Sequence, residues 1–273
     1  GIPADRENRR QKGKRSMRYI RTAVVVLFVI AMGIFAAGKW KTFIQRDPHV
    51  PVITAEQDEI TVPVDYTQEE LLQGMSASDE EDGDLTPSIM TGEFSPFISG
   101  NTCHLNYIVF DSANQPGVYR RKVTFEGYRP PEFTLSSPLV FRAGGSETAY
   151  GRIGAQDMLD GDLSQMVRLV DENVSYMAEG EGTVTVEVSN SFGASSELVF
   201  PVHVVPAGTE LLNTSTPVVY VDKGSTFDPD EYKKNLTYAD GTVPDPSEVT
   251  AQSGADTAET GVYGVHYTCA DAE

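Results

Sequence analysis

The chain has 273 residues, 40% of them hydrophobic, and a formal charge of −19. That length admits one to three domains, and the apolar fraction is enough for packed cores, which excludes wholesale disorder. Two cysteines exclude a disulfide-rich scaffold, and four scattered histidines (His49, His104, His203, His266) leave little for a histidine-based metal or catalytic centre.

The charge is unevenly divided. Residues 1–46 carry eleven Lys/Arg against Asp5 and Glu7, a net of +9. The remainder carries ten Lys/Arg against thirty-eight acids, a net of −28. The acidic part repels a phosphate backbone, so nucleic acid is not an expected partner.

Thr22 to Gly38 is a run of seventeen uncharged residues, TAVVVLFVIAMGIFAAG. As a helix it spans about 25 Å, a little short of a bilayer core of about 30 Å. Trp40, Phe43 and Ile44 extend the apolar stretch, and Lys39 and Lys41 can reach headgroups. The expectation is a transmembrane anchor over 22–44, with membrane lipid as its partner. Tyr19 and Trp40 flank it as interfacial aromatics. The basic segment 1–21, dense from Arg9 to Arg21, then lies in the cytoplasm, and the domains after the anchor lie outside. A cleaved signal peptide has a similar spelling, with Ala36-Ala37-Gly38 as its cleavage site. The long apolar run and its aromatic, basic exit favour the anchor.

A capping-box spelling at Thr67-Gln-Glu-Glu70 predicts one short helical turn. Elsewhere after Pro48 the period is two. Ile60, Val62, Val64; Leu105, Tyr107, Val109; Val184, Val186, Val188; Leu198, Phe200, Val202, Val204; and Val265, Tyr267, Cys269 alternate with polar residues, as half-buried strands do. Gly, Pro, Asn and Asp clusters between them predict turns.

The pattern repeats. Asp79-x-x-Asp82-Gly83-Asp84-Leu85-Thr86 recurs 78 residues on as Asp157-x-x-Asp160-Gly161-Asp162-Leu163-Ser164. A degenerate third copy is Asp240-Gly241-Thr242. A second motif keeps step with the first. Tyr107-Ile-Val109-Phe-Asp111-Ser-Ala-Asn114 is echoed by Val186-Glu-Val188-Ser-Asn190-Ser-Phe-Gly193 and by Tyr267-Thr-Cys269-Ala-Asp271-Ala-Glu273. Two motifs in step through three copies mark a tandem array. Period and strand count predict one sandwich of about seven strands per repeat, with stiff seams at Gly127–Pro131 and Val205–Gly208.

An opening strand, a short helical turn, A-x-D-x-x-DGDLT and then Y-x-V-x-D-s-x-x-N resemble bacterial immunoglobulin-like domains. The variety is the one found in tandem in Gram-positive surface proteins and in some crystal-toxin and hyalin-repeat-like modules. The resemblance covers 48–127 well, 129–205 fairly and 206–273 in part. It implies an all-β architecture of tandem immunoglobulin-like β-sandwiches, here preceded by one transmembrane helix, and an extracellular address. It implies no reaction, because the fold carries many functions. The third domain, 206–273, stops where the first copy enters its last strand, so it is expected to be incomplete at its C-terminus.

The acidic turns are the sharpest candidate site. Asp79, Asp82 and Asp84, with Asp157, Asp160 and Asp162, are oxygen donors of the kind calcium favours, and Asp111 joins them if its loop approaches the same end. The competing and favoured reading is turn chemistry, with Gly at positive φ and each Asp capping nearby N–H groups. No nucleophile–base spelling, zinc-protease motif or phosphate loop is present, so no catalysis is expected of this chain. Cys269 is expected to be a small core residue and Cys103 an unpaired thiol. The expected role is a membrane-anchored cell-surface stalk or adhesion module with a protein or carbohydrate ligand. Two alternatives stay open: the sensor arm of a transmembrane signalling protein, and a non-catalytic spacer of a larger envelope enzyme.

Overall fold

The structure is a computed structural model that describes residues 22–39, 49–270 and 272. The basic segment 1–21, the exit flank of the apolar run and the terminal Asp271 and Glu273 lie outside the described residues. The apolar run forms helix α1 (Thr22–Lys39), 18 residues long, with every residue exposed. At 1.5 Å per residue it spans about 27 Å, and a signal sequence would look the same.

The rest is built of short strands joined by turns. The first repeat supplies β1 (Val52–Ala55), β2 (Glu59–Pro63), helix α2 (Gln68–Leu72), β3 (Met75–Asp79), β4 (Gly83–Asp84), β5 (Met90–Phe94), β6 (Thr102–Phe110) and β7 (Pro116–Glu126). The second supplies β8 (Glu132–Leu135), β9 (Val140–Arg142), β10 (Ile153–Asp157), β11 (Gly161–Asp162), β12 (Arg168–Asn173), β13 (Gly180–Ser189) and β14 (Ser195–Val205). The third supplies β15 (Asn213–Thr214), β16 (Leu236–Thr237), β17 (Thr250–Ser253) and β18 (Val265–Thr268).

By packing the chain separates into two compact units. One contains the described residues up to Ala55, with Met75–Met90 and Ile108–Tyr119. It holds the antiparallel sheet β1-β3-β4, in which Val52 pairs with Ser78 and Asp79 with Gly83. Gly117 is required here by close approach: a Cβ on it would sit 2.2 Å from the Pro51 carbonyl oxygen.

The other unit contains Glu56–Gly74, Thr91–Tyr107 and everything from Arg120 onward. Strand β2 lies parallel to β7 in register from Glu59↔Lys122 to Pro63↔Glu126, in a sheet of order β2-β7-β6-β5. Helix α2 carries the expected capping box. The Glu70 amide donates to Thr67 Oγ1 at 3.3 Å, and the Thr67 amide donates to Glu70 Oε2 at 2.7 Å.

The second repeat shows the sandwich whole. Its two sheets run β11-β10-β8 and β12-β13-β14-β9, with β9 parallel to β14. The first repeat has the same two strand orders, including the parallel edge. Alternation does what it predicts: Val184, Val186 and Val188 on β13 and Phe200, Val202 and Val204 on β14 are all buried. They close on Phe133, Phe141, Ile153 and Leu163 in one core. Fully burying such a side chain stabilises by about 1.5–3 kcal/mol relative to leaving it exposed.

The third repeat departs from a seven-stranded sandwich. Among its described residues there are two two-stranded sheets, β15-β16 and β17-β18. The core there is Leu212, Leu236, Val249, Cys269 and Ala272. The long stretch between β15 and β16 is rich in Pro, Asp, Lys and Ser, and has too few alternating apolar residues to cover a sheet. Cys269 is buried on β18's continuation, as its alternation requires, and both cysteines are free.

Candidate functional site

The two motifs that keep step in sequence meet in space. In the first repeat Asp79 Oδ1 accepts from the amides of Glu81 (2.9 Å) and Asp82 (3.1 Å). Gly83 then takes φ 76°, the left-handed region that favours glycine. Asp84 Oδ1 accepts from the Thr86 amide at 3.0 Å. Asp82 reaches the second motif, where its Oδ2 accepts from the Ser112 amide at 2.6 Å. Asp111 folds its own turn, its Oδ1 accepting from the Gln115 amide at 2.6 Å.

The second repeat reproduces each bond. Asp157 Oδ1 accepts from Leu159 N (2.9 Å) and Asp160 N (3.0 Å), and Gly161 takes φ 75°. Asp162 Oδ1 accepts from Ser164 N (2.9 Å) and Ser164 Oγ (2.6 Å). Asp160 accepts from both the amide and the hydroxyl of Ser191, and Asn190 Oδ1 accepts from Ala194 N at 2.9 Å. The third copy keeps only the turn: Asp240 Oδ1 accepts from Thr242 N and Oγ1, and Gly241 takes φ 85°. All six aspartates singled out from the sequence therefore bond to nearby backbone. Among the described residues no three His, Cys, Asp or Glu side chains converge as a ready metal centre.

These bonds stabilise the ionised carboxylates. Hydrogen bonding from Thr86 holds Asp84 below the ordinary carboxylate value, and Ser164 and Thr242 do the same for Asp162 and Asp240. A carboxyl depressed in the folded state adds stability that is present above its unfolded value of about 3.9. That stability is lost as pH falls through the lower folded value. The melting temperature is therefore expected to drop as pH falls below about 4, and Asp84→Asn with Asp162→Asn is expected to blunt the drop. Identical acid profiles for the double variant and the parent protein, by calorimetry, would remove the turns from the account.

A second feature was not foreseen from sequence. Within the larger unit a cleft of about 540 Å³ lies between second- and third-repeat residues, lined by Leu139, Pro201, Tyr220, Phe227, Tyr232 and Tyr267 among others. Tyr220 fixes one wall: its hydroxyl accepts from the Phe133 amide at 2.7 Å and donates to the Phe133 carbonyl at 3.1 Å. The Tyr267 hydroxyl donates to the Pro229 carbonyl at 2.8 Å. Burial pushes the Tyr267 phenol up to about 12. Glu181, His203, Lys223, Asp256, Glu259 and His266 are the charged or titratable members of the lining besides the tyrosines, and Glu181 and His203 pair with one another. The signal available in sequence was the apolar run Pro217–Val221, which carries no alternation and so matches no strand template.

The joint between the first two repeats is an aromatic cluster. Phe97 stacks on Phe192 with centroids 5.0 Å apart, and lies 5.0 Å from the Tyr128 ring. Phe94 and Phe125 sit 5.8 and 5.7 Å from Phe192. Tyr128, in the seam itself, donates its hydroxyl to Asp157 Oδ2 at 3.1 Å and accepts from Asn190 Nδ2 at 2.8 Å.

No protein-family model matches the chain. It is 28% identical over 169 residues to the pesticidal crystal protein Cry22Aa of Bacillus thuringiensis, which is 59% of this chain and 23% of that protein. It is 28% identical over 126 residues to an uncharacterised 81.3 kDa protein of Acholeplasma phage L2, 45% of this chain and 16% of that one. The chain thus spans less than a quarter of the length of either relative. Among solved structures it is similar to the M60 catalytic domain of Clostridium perfringens ZmpB with its CBM51 domains, at TM-score 0.26 and 10% identity over 59% of this chain and 31% of that one. It is also similar to the protocadherin GammaB4 extracellular domain, at TM-score 0.21 and 10% identity over 66% and 38%. Likeness at that level assigns neither fold nor ligand, and the fold stands on the sheets described above.

Proposed function

We propose that the chain is a bacterial cell-surface protein, held in the membrane by α1, whose tandem sandwiches form a stalk carrying a binding surface. The observation that carries this reading is the Phe97–Phe192–Tyr128 joint, which ties one repeat to the next through both ring packing and hydrogen bonds. Flexible linkers between independent domains need no such joint. The cleft lined by Tyr220, Tyr232 and Tyr267 offers an apolar, aromatic surface with a few polar groups, the composition of small-ligand and sugar sites. A protein or carbohydrate ligand fits that chemistry. Catalysis plays no part in the reading: half-buried His104 bonds Arg120, and His203, in the cleft lining, pairs with Glu181.

Buried native thiols make the topology directly testable. Cys103 and Cys269 are 0% and 2% exposed, and burial pushes the Cys103 thiol up to about 11, so neither competes for a membrane-impermeant maleimide. On intact cells Ala207→Cys is expected to label and Ser16→Cys to stay unlabelled until the cells are opened. Labelling of Ser16→Cys on intact cells, or a mature protein that begins near Lys39, would sink the anchored topology.

A further inference from the structure

Two buried side-chain oxygens take no hydrogen bond among the described residues: Asp79 Oδ2 and Asp111 Oδ2. Their residues are only 8% and 7% exposed. A polar oxygen out of water and without a donor is costly, and two of them in one turn system call for a shared explanation.

The second repeat supplies the comparison. Asp157 corresponds to Asp79 and Asn190 to Asp111, because each makes the same turn bonds with its Oδ1. There the remaining Asp157 oxygen accepts from Asn190 Nδ2 at 3.2 Å and from the Tyr128 hydroxyl at 3.1 Å. In the first repeat the amide nitrogen is replaced by the Asp111 carboxylate oxygen. The sequence position matching Tyr128, four residues before the opening strand, is Pro48, which has no side-chain donor. Neither donor that satisfies the second repeat has a counterpart in the first, and by this correspondence two unpartnered acceptors hold the matching positions.

We propose that the first repeat holds a divalent cation, calcium, between the Asp79 and Asp111 carboxylates, where the second repeat holds an amide–carboxylate hydrogen bond. The donor set is all oxygen, which suits calcium. Calcium takes six to eight oxygens in irregular arrangements and accepts water in its shell, so the two carboxylates would supply its charge and water would complete the coordination. Magnesium demands a near-ideal octahedron and gives up its water reluctantly, so it fits this pair less well. Asp82 and Asp84 shape the turn through Ser112 and Thr86, and the ion rests on the buried pair.

The test is calcium binding to the full chain in detergent micelles, by isothermal titration and melting temperature, with magnesium at equal ionic strength alongside. The parent protein is expected to bind one calcium and to melt higher in calcium than in magnesium. Asp111→Asn installs the second repeat's amide, so it is expected to lose the site and to melt higher than the parent in the absence of calcium. Tyr128→Phe with Asn190→Asp recreates the donor-free pair in the second repeat and is expected to raise the stoichiometry to two. No binding by the parent, an equal response to magnesium, or a site retained in Asp111→Asn would overturn the proposal. So would a melting temperature that rises on mild acidification with no calcium response, which would put a proton between the carboxylates.

Discussion

Arg121→Met is expected to destabilise the first repeat by about 3–5 kcal/mol, among the larger effects a single substitution has. Arg121 is 2% exposed, on the inner face of β7 with Val123 and Phe125. Its Nε donates to the Gln57 carbonyl at 2.8 Å and its NH1 to the Gln73 carbonyl at 2.8 Å, with Leu71 O at 3.5 Å. The Leu71 carbonyl is also held by the Tyr107 hydroxyl at 2.7 Å. Helix α2 has no basic residue in its own last turn, so a strand residue about fifty positions away satisfies its terminal carbonyls. Hydrogen bonds from a charged donor contribute about 1.5–3 kcal/mol each. Methionine keeps most of the volume, so the loss comes from two stranded carbonyls rather than from a cavity. Arg121→Lys retains the charge but one ammonium cannot reproduce the guanidinium fork, and an intermediate loss is expected. Hydrogen exchange over residues 68–72 and 102–126 reads this out locally. A change under about 1 kcal/mol for methionine, or a lysine variant equal to the parent, would show that the carbonyls find other donors.

The same residue marks where sequence reasoning stops. Val123 and Phe125 are buried on β7, and the period of two puts residue 121 on the same face. A basic side chain reads as solvent-facing unless its partners are known, and Gln57, Leu71 and Gln73 are far off in sequence. What was legible was local. The Thr67–Glu70 capping box, the left-handed glycines at 83, 161 and 241, and the buried valines of β13 each depend on residues within a few positions. The two motifs in step were legible as a repeat. Their union through Asp82–Ser112 and Asp160–Ser191 depends on strand pairing, which local spelling does not specify. The third repeat was harder, because long polar stretches separate its few apolar runs. Only β18 followed from alternation, and the cleft wall around Tyr220 comes from a run with no period at all.

Phe192→Ala is expected to unlock the first joint, at a cost of about 2–4 kcal/mol. Removing a fully buried phenylalanine costs about 3–5 kcal/mol, and Phe192, at 9% exposed, sits at the edge of that range. Its ring meets Phe97, Phe94 and Phe125, and aromatic pairs add about 0.5–1.5 kcal/mol beyond area burial. Two hydrogen-bonded ties oppose complete release. The Phe97 amide donates to the Phe192 carbonyl at 2.9 Å, and Tyr128 remains bonded to Asp157. A net backbone bond is worth about 1 kcal/mol, so ring packing outweighs it and its loss should dominate. Because the native thiols are buried, spin labels at Asn106→Cys and Glu197→Cys, both exposed strand positions, report the joint without background. The parent should give one narrow distance distribution, Phe192→Leu a somewhat wider one, and Phe192→Ala a broad one. An equally narrow distribution in Phe192→Ala, with Tyr128→Phe broadening it instead, would place the stiffness in the Tyr128–Asp157–Asn190 hydrogen bonds. The stalk would then owe its rigidity to the polar end of the second repeat, and the aromatic cluster would serve only to exclude water from it.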